Sequence, residues 1–170
     1  DLISKKTLTP DERARVVEES VRYWTDHVNE GFLQFRKSVS TDYTAVEWED
    51  EGAVFRDIHG KEFIDILGGY GIYVVGHRHP RVMKAVRDQL DRQAIHSQEL
   101  IDPLRTYLAN LVALITPGDL QFAFFTNSGT ESIEGCLKMA TLATGRHHFI
   151  GAAGAFHGKS MGSLGGTSKA

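Results

Sequence analysis

The residues best suited to chemistry lie in the segment 126–131, Thr-Asn-Ser-Gly-Thr-Glu, which follows a short apolar run. Ser128 and Glu131 have the spacing of a capping box, which predicts that a helix begins at Gly129. First-turn amides have no partner within a helix, and Gly129 lets a ligand approach them closely. With the hydroxyls of Ser128 and Thr130, these amides could bind a phosphate dianion. The alternative is a plain cap that binds nothing, and the segment matches neither the ATP-binding nor the dinucleotide-binding glycine loop.

A second candidate segment, residues 155–158 (Ala-Phe-His-Gly), follows the next apolar run along the chain. Because neighbouring parallel strands end at the same edge of a sheet, we expect this segment to lie beside the first. Phe156 could then stack on a planar ring whose phosphate lies at Gly129 and Thr130, with His157 next to it. The alternative is that Phe156 is a core residue and His157 a surface residue.

The first half of the chain has a mixed pattern of helices and short strands. The capping box at Thr9 and Glu12 predicts a helix over residues 10–27, followed by an irregular segment from Gly31. Strand-forming residues interrupted by glycine turns predict short strands between residues 46 and 66. Two further helices are expected to begin at prolines, namely Pro80 and Pro103.

The second half has the pattern of a strand–helix–strand unit. Short apolar runs at 122–125 and 148–150 predict strands, and the helix between them is expected over residues 129–144. Such a unit is typical of a parallel sheet, so the predicted fold class is α/β. A small α+β segment over residues 1–75 would lead into an incomplete, mainly parallel sheet flanked by helices over residues 76–170.

Composition and charge exclude several classes of protein. The chain has 170 residues, of which 41% are hydrophobic and 24% charged, and its net charge is -3. This is a globular profile, without the basic charge that nucleic acids or anionic membranes attract. Cys136 is the single cysteine, which indicates a reducing, cytoplasmic setting, and we expect no membrane partner.

The motifs together resemble those of the class III aminotransferases, which use pyridoxal phosphate and have fold type I. The resemblance covers nearly the whole chain in order and spacing. It depends on four blocks, which are residues 57–65, 76–80, 127–131 and 154–158.

The resemblance implies a role for several residues. Gly129 and Thr130 would bind the phosphate of pyridoxal phosphate, with Ser128 beside them. Phe156 would lie against the pyridine ring with His157 next to it. The substrates would be an amino donor and a 2-oxo acid, and the protein would be a homodimer or a larger homo-oligomer. The resemblance also places Tyr70 in the substrate pocket.

Two stretches narrow the expected amino donor. Residues 9–20 and 96–104 are similar to those of family members that act on diamines such as putrescine, with 2-oxoglutarate as acceptor and glutamate as product. The alternatives are a member acting on ornithine, acetylornithine or 4-aminobutyrate, or a non-catalytic module that binds a phosphate ligand or dimerises.

The family's Schiff-base lysine lies well downstream of the segment matching residues 155–158. Lys138, Lys159 and Lys169 occur near the motifs, but none matches that position. We therefore expect no catalytic residue in this chain and no transamination by the chain alone.

The segment 76–80, Gly-His-Arg-His-Pro, has two histidines that could chelate a metal ion. No cysteine or carboxylate cluster accompanies them in the sequence. We therefore predict no metal site, and the resemblance implies a structural turn into the helix at Pro80.

Overall fold

The computed structural model describes residues 2–42 and 44–168. The chain forms two compact units, residues 1–95 and 96–170. Lys169, one of the three lysines considered above, lies outside the described residues. The domain boundary predicted after residue 75 stays a prediction.

The first unit opens with helix α1, Pro10–Trp24, which begins where the capping box predicts. The Thr9 hydroxyl accepts a hydrogen bond from the Glu12 amide at 3.3 Å, and the Glu12 carboxylate accepts one from the Thr9 amide at 2.9 Å. A π-helical turn, Thr25–Asn29, connects α1 to helix α2, Glu30–Val39. The predicted helix over residues 10–27 is therefore confirmed at its start and continues further than expected.

The continuation of helix past Gly31 shows that the irregular segment predicted there is wrong. The Asn29 side chain accepts a hydrogen bond from the Phe32 amide at 3.1 Å and so caps α2. A helical glycine costs about 1 kcal/mol relative to alanine, and an asparagine cap contributes about as much. The local cap therefore offsets the unfavourable glycine.

Three short strands form an antiparallel sheet in the order β1-β2-β3, with bounds Glu47–Glu51, Val54–Asp57 and Glu62–Ile64. Gly52 and Gly60 connect them with φ of 61° and 86°, a backbone region that favours glycine. The strands and glycine turns predicted for this part of the chain are confirmed.

The core of the first unit joins helix α1 to the sheet. Leu8, Val16 and Ile58 are its buried apolar residues, and Trp48 of β1 packs against them from a partly buried position. Val16 lies on α1 and Ile58 follows β2, so these contacts hold the helix on the sheet.

Two helical segments follow the sheet, α3 (Gly68–Gly71) and α4 (Pro80–Arg92). α3 is a single turn that contains left-handed residues, with φ of 57° at Gly69 and 58° at Tyr70. α4 begins at Pro80, as predicted. Its apolar side chains at positions 82, 86 and 90 are about half exposed in the described chain.

Up to residue 168, the second unit contains three helices, α5 (Pro103–Ile115), α6 (Gly129–Thr144) and α7 (Met161–Gly165). Asp102 caps α5 by accepting a hydrogen bond from the Leu104 amide at 2.9 Å. The bounds of α6 agree with the sequence prediction. None of the helices formed by residues 2–42 and 44–168 has the length and apolar character that crossing a membrane requires.

The strands predicted at residues 122–125 and 148–150 are wrong for the described chain, which has no β-ladder at either place. Phe122 and Ile150 are fully exposed, at 101% and 102%. A strand exists only through hydrogen bonds to a neighbouring strand, and the described residues supply no neighbour here. Of the predicted strand–helix–strand unit, the described chain therefore contains the helix, α6, with an unpaired apolar segment on each side of it.

Candidate functional site

The first turn of α6 has two backbone amides that lack a hydrogen-bond acceptor. Ser128 Oγ accepts a hydrogen bond from the Glu131 amide at 3.3 Å. The Glu131 carboxylate accepts from the amides of Asn127 at 2.7 Å and Ser128 at 3.1 Å. Within the described residues, the amides of Gly129 and Thr130 have no acceptor.

The space beside Gly129 is open. A Cβ atom built on Gly129 would have no heavy atom within 4 Å. Unpartnered amides at the positive end of a sixteen-residue helix, with open space beside Gly129, fit a phosphate group. The geometry therefore agrees with the phosphate site expected at Gly129 and Thr130, whose ligand stays a prediction.

The segment 155–160, the ring-face loop, packs directly on α6. Gly158 is buried, with φ of 125°, and a Cβ atom on it would lie 2.3 Å from Thr130 Oγ1. The loop is also tied at His157, whose amide donates a hydrogen bond to Thr167 Oγ1 at 3.0 Å. Phe156 is 59% exposed. The structure therefore brings the loop to the first turn of α6, as expected from the sequence.

A hydroxyl cluster between α6 and α7 was not foreseen from the sequence. Thr130 Oγ1 lies 2.7 Å from Ser160 Oγ and 2.6 Å from Ser163 Oγ. Ser163 is completely buried. Because these hydroxyls occupy Thr130 Oγ1, the backbone amide is the donor that Thr130 has free for a phosphate.

Glu134 completes the cluster from the next turn of α6. Its Oε1 accepts hydrogen bonds from Ser160 Oγ, from the Gly162 amide at 2.8 Å and from the Ser163 amide at 3.0 Å. These hydrogen bonds lower the pKa of the Glu134 carboxyl. The bond from the Ser160 hydroxyl has the largest effect, followed by that from the Ser163 amide. The four-residue spacing between positions 130 and 134, which places both on one helix face, was the available sequence signal.

Tyr70, the predicted substrate-pocket residue, belongs to the first unit. Its side chain is 90% exposed, and its φ of 58° is unusual for a residue other than glycine. Such a conformation is frequent at functional positions. Its role in substrate binding stays a prediction.

His77, which the resemblance placed in a structural turn, lies buried between two carboxylates. Nδ1 lies 2.9 Å from Asp50 Oδ2 and Nε2 lies 2.7 Å from Asp65 Oδ2. The hydrogen bond to Asp65 is the main reason that the pKa of His77 is raised above its ordinary value. The imidazole stacks on Tyr73 with a centroid distance of 3.8 Å.

The contacts of His77 also show which nitrogen atoms of the two-histidine motif are already engaged. Both ring nitrogens of His77 are engaged by carboxylates, and His79 Nδ1 is buried without a partner among the described residues. Across residues 2–42 and 44–168, no group of three or more potential protein ligands could hold a metal ion. His77 therefore serves as an ion-pair partner in this structure.

Comparison with known proteins identifies the family. The profile of the family described as "Aminotransferase class-III" matches residues 37–170. The putrescine aminotransferase of Pectobacterium atrosepticum is 51% identical over 173 aligned positions, which cover 98% of this chain and 37% of that protein.

Solved structures agree on the fold. A thermostable (S)-enantioselective omega-transaminase from Thermomicrobium roseum superposes with a TM-score of 0.78 at 25% identity, over 96% of this chain and 36% of that one. The taurine:2-oxoglutarate aminotransferase of Bifidobacterium kashiwanohense, solved with pyridoxal phosphate and glutamate, gives 0.76 at 23% identity, over 96% and 34%. The chain thus spans little more than a third of the length of these relatives. It belongs to the class III aminotransferases, a fold type I family that depends on pyridoxal phosphate.

Proposed function

We propose that the protein containing this chain is an aminotransferase that moves an amino group from putrescine, or a related diamine, to 2-oxoglutarate and releases glutamate. The observation that carries the proposal is the 51% identity to a putrescine aminotransferase over 98% of the chain. That similarity extends into the N-terminal residues that precede the family profile, which begins at residue 37.

The residues of the second unit would bind and orient the cofactor. The amides of Gly129 and Thr130 would hold the phosphate, and the Ser128 hydroxyl would add a donor. Phe156 would cover one face of the pyridine ring and exclude water from it, with His157 beside it. When bound, pyridoxal phosphate withdraws electrons from the carbon that carries the amino group.

Other features of the proposal concern the whole protein. The lysine that attaches to the cofactor would come from outside these 170 residues, so the chain alone would be inactive. We propose a homodimer or a larger homo-oligomer, as the resemblance to the class III aminotransferases implies. The single cysteine supports a reducing, cytoplasmic setting.

A panel of amino donors tests the substrate. With the full-length protein, pyridoxal phosphate and 2-oxoglutarate, we expect kcat/KM for putrescine to exceed that for ornithine by about tenfold or more. The physical reason is that a pocket shaped for a diamine leaves the ornithine carboxylate without a partner. Glutamate formation is the measurement, with acetylornithine and 4-aminobutyrate as further donors. A higher kcat/KM for ornithine would assign the protein to another branch of the family, and no turnover of any donor would favour a non-catalytic module.

A second experiment tests whether Lys159 attaches to the cofactor. Lys159 is exposed and lies within the ring-face loop, directly after Gly158. In the full-length protein, Lys159→Gln is expected to leave covalent attachment of the cofactor after borohydride reduction unchanged, because the attaching lysine lies elsewhere. Mass spectrometry of the reduced protein measures the attachment, with unreduced wild type as control. Loss of the attachment in the variant would place the covalent chemistry inside this chain.

A further inference from the structure

Glu134 links the first turn of α6 to the ring-face loop. It lies four residues after Thr130 on the same helix face. Thr130 belongs to the turn with the two unpartnered amides, and Glu134 contacts the start of α7, where the ring-face loop ends at Ser160. One face of α6, through Thr130 and Glu134, therefore contacts both Ser160 and the first turn of α7.

The contact is a cap supplied by another helix. α7 has only five residues, Met161–Gly165, and its second and third amides donate to Glu134 Oε1 at 2.8 Å and 3.0 Å. The two amides and the Ser160 hydroxyl all donate to Oε1 of Glu134 and so stabilise its negative charge. Hydrogen bonds to a charged acceptor are stronger than those to neutral ones.

Two glycines allow the close approach that this contact needs. A Cβ atom on Gly162 would lie 2.3 Å from Glu134 Oε2, and one on Gly158 would lie 2.3 Å from Thr130 Oγ1. Neither distance leaves room for a side chain. The ring-face loop is thus held at both Gly158 and Ser160, on either side of Lys159.

We propose that Glu134 is a positioning residue that sets the ring-face loop, and with it Phe156 and His157, at a fixed place relative to the first turn of α6. Glu134 does not touch the cofactor in this role. It acts by tying Ser160 and the first turn of α7 to the helix that presents the phosphate-binding amides. The inference rests on the proposed cofactor site and adds the residue that aligns its two halves.

The test uses the full-length apoprotein and the variant Glu134→Ala. Pyridoxal phosphate would contact both halves of the proposed site, whereas inorganic phosphate would contact the helix end alone. We expect affinity for pyridoxal phosphate to fall about tenfold or more, since charge-assisted hydrogen bonds are lost. The inhibition constant of inorganic phosphate against cofactor binding should stay within about twofold. The induced circular dichroism of the bound cofactor should weaken as the ring loses its fixed orientation.

Two further variants keep the test decisive if Glu134→Ala folds poorly. Glu134→Gln retains an acceptor oxygen for the two amides and should restore most of the affinity. Gly158→Ala leaves Glu134 intact but pushes the ring-face loop off Thr130, and it should reproduce the loss of affinity and of circular dichroism. Lys138→Gln, an exposed change further along α6, serves as the matched control and should behave as wild type.

Two results would overturn the inference. In one, Glu134→Ala binds pyridoxal phosphate with wild-type affinity and circular dichroism. In the other, phosphate and pyridoxal phosphate weaken by the same factor, which would mean that Glu134 only supports the helix end. Either result leaves the proposed function standing, whereas failure of the wild-type protein to bind the cofactor would refute that function separately.

Discussion

Replacing Gly129 with aspartate in the full-length protein is expected to weaken pyridoxal phosphate binding by about 100-fold or more. The new carboxylate would lie next to the two amides proposed to hold the phosphate. Two unit charges 4 Å apart repel by about 4 kcal/mol at an effective dielectric constant of 20, and the phosphate carries up to two charges. Titration of the apoprotein with cofactor, followed by fluorescence, measures the change.

The same substitution should not destabilise the fold, which separates repulsion from misfolding. A Cβ atom at Gly129 meets nothing within 4 Å, and an acidic residue at the start of a helix interacts favourably with the helix dipole. The thermal midpoint of the apoprotein is therefore expected to stay level or rise. Gly129→Ala and Gly129→Asn are the uncharged controls and should lose far less affinity. If aspartate and asparagine weaken binding equally, the phosphate does not bind at this turn.

Features encoded by neighbouring residues could be predicted from the sequence. The capping boxes at Thr9 and Ser128 each span four residues, and both helices begin where those boxes predict. The glycine turns at Gly52 and Gly60 are equally local. The capping hydrogen bonds join groups only three positions apart, so the residue types alone were sufficient to place these elements.

Features that depend on distant partners could not be predicted in the same way. The apolar runs at 122–125 and 148–150 have strand composition, yet a strand also needs a neighbour, and the described chain supplies none. The contact between Glu134 and the Ser163 amide joins residues 29 positions apart. The contact between His77 and Asp50 spans 27 positions. No local pattern marks which carboxylate such a group will meet.

Replacing His77 with leucine is expected to lower the apparent thermal midpoint of the full-length protein by several degrees, on the order of 5 °C. The imidazole lies between Asp50 and Asp65 and stacks on Tyr73, with Arg78 Nε 3.9 Å from the Asp50 carboxylate. Leucine would leave two carboxylates facing one another across an apolar side chain. Thermal unfolding at a fixed scan rate measures the loss, and His59→Leu, at an exposed turn, is the control.

The pH dependence of this loss distinguishes charge from packing. The pKa of His77 is raised above 6.5, so its stabilising contribution is complete below that value and disappears as pH rises through the folded pKa. The pKa of Asp65 is lowered from 3.8, mainly by the hydrogen bond from His77, so its contribution is present above 3.8 and is lost as pH falls through the folded pKa. The midpoint difference between wild type and His77→Leu should therefore be larger at about pH 6 than at about pH 9. An equal difference at both pH values would mean that His77 stabilises the fold without its charge. The reason is that the protonation of the imidazole is what changes over this pH range.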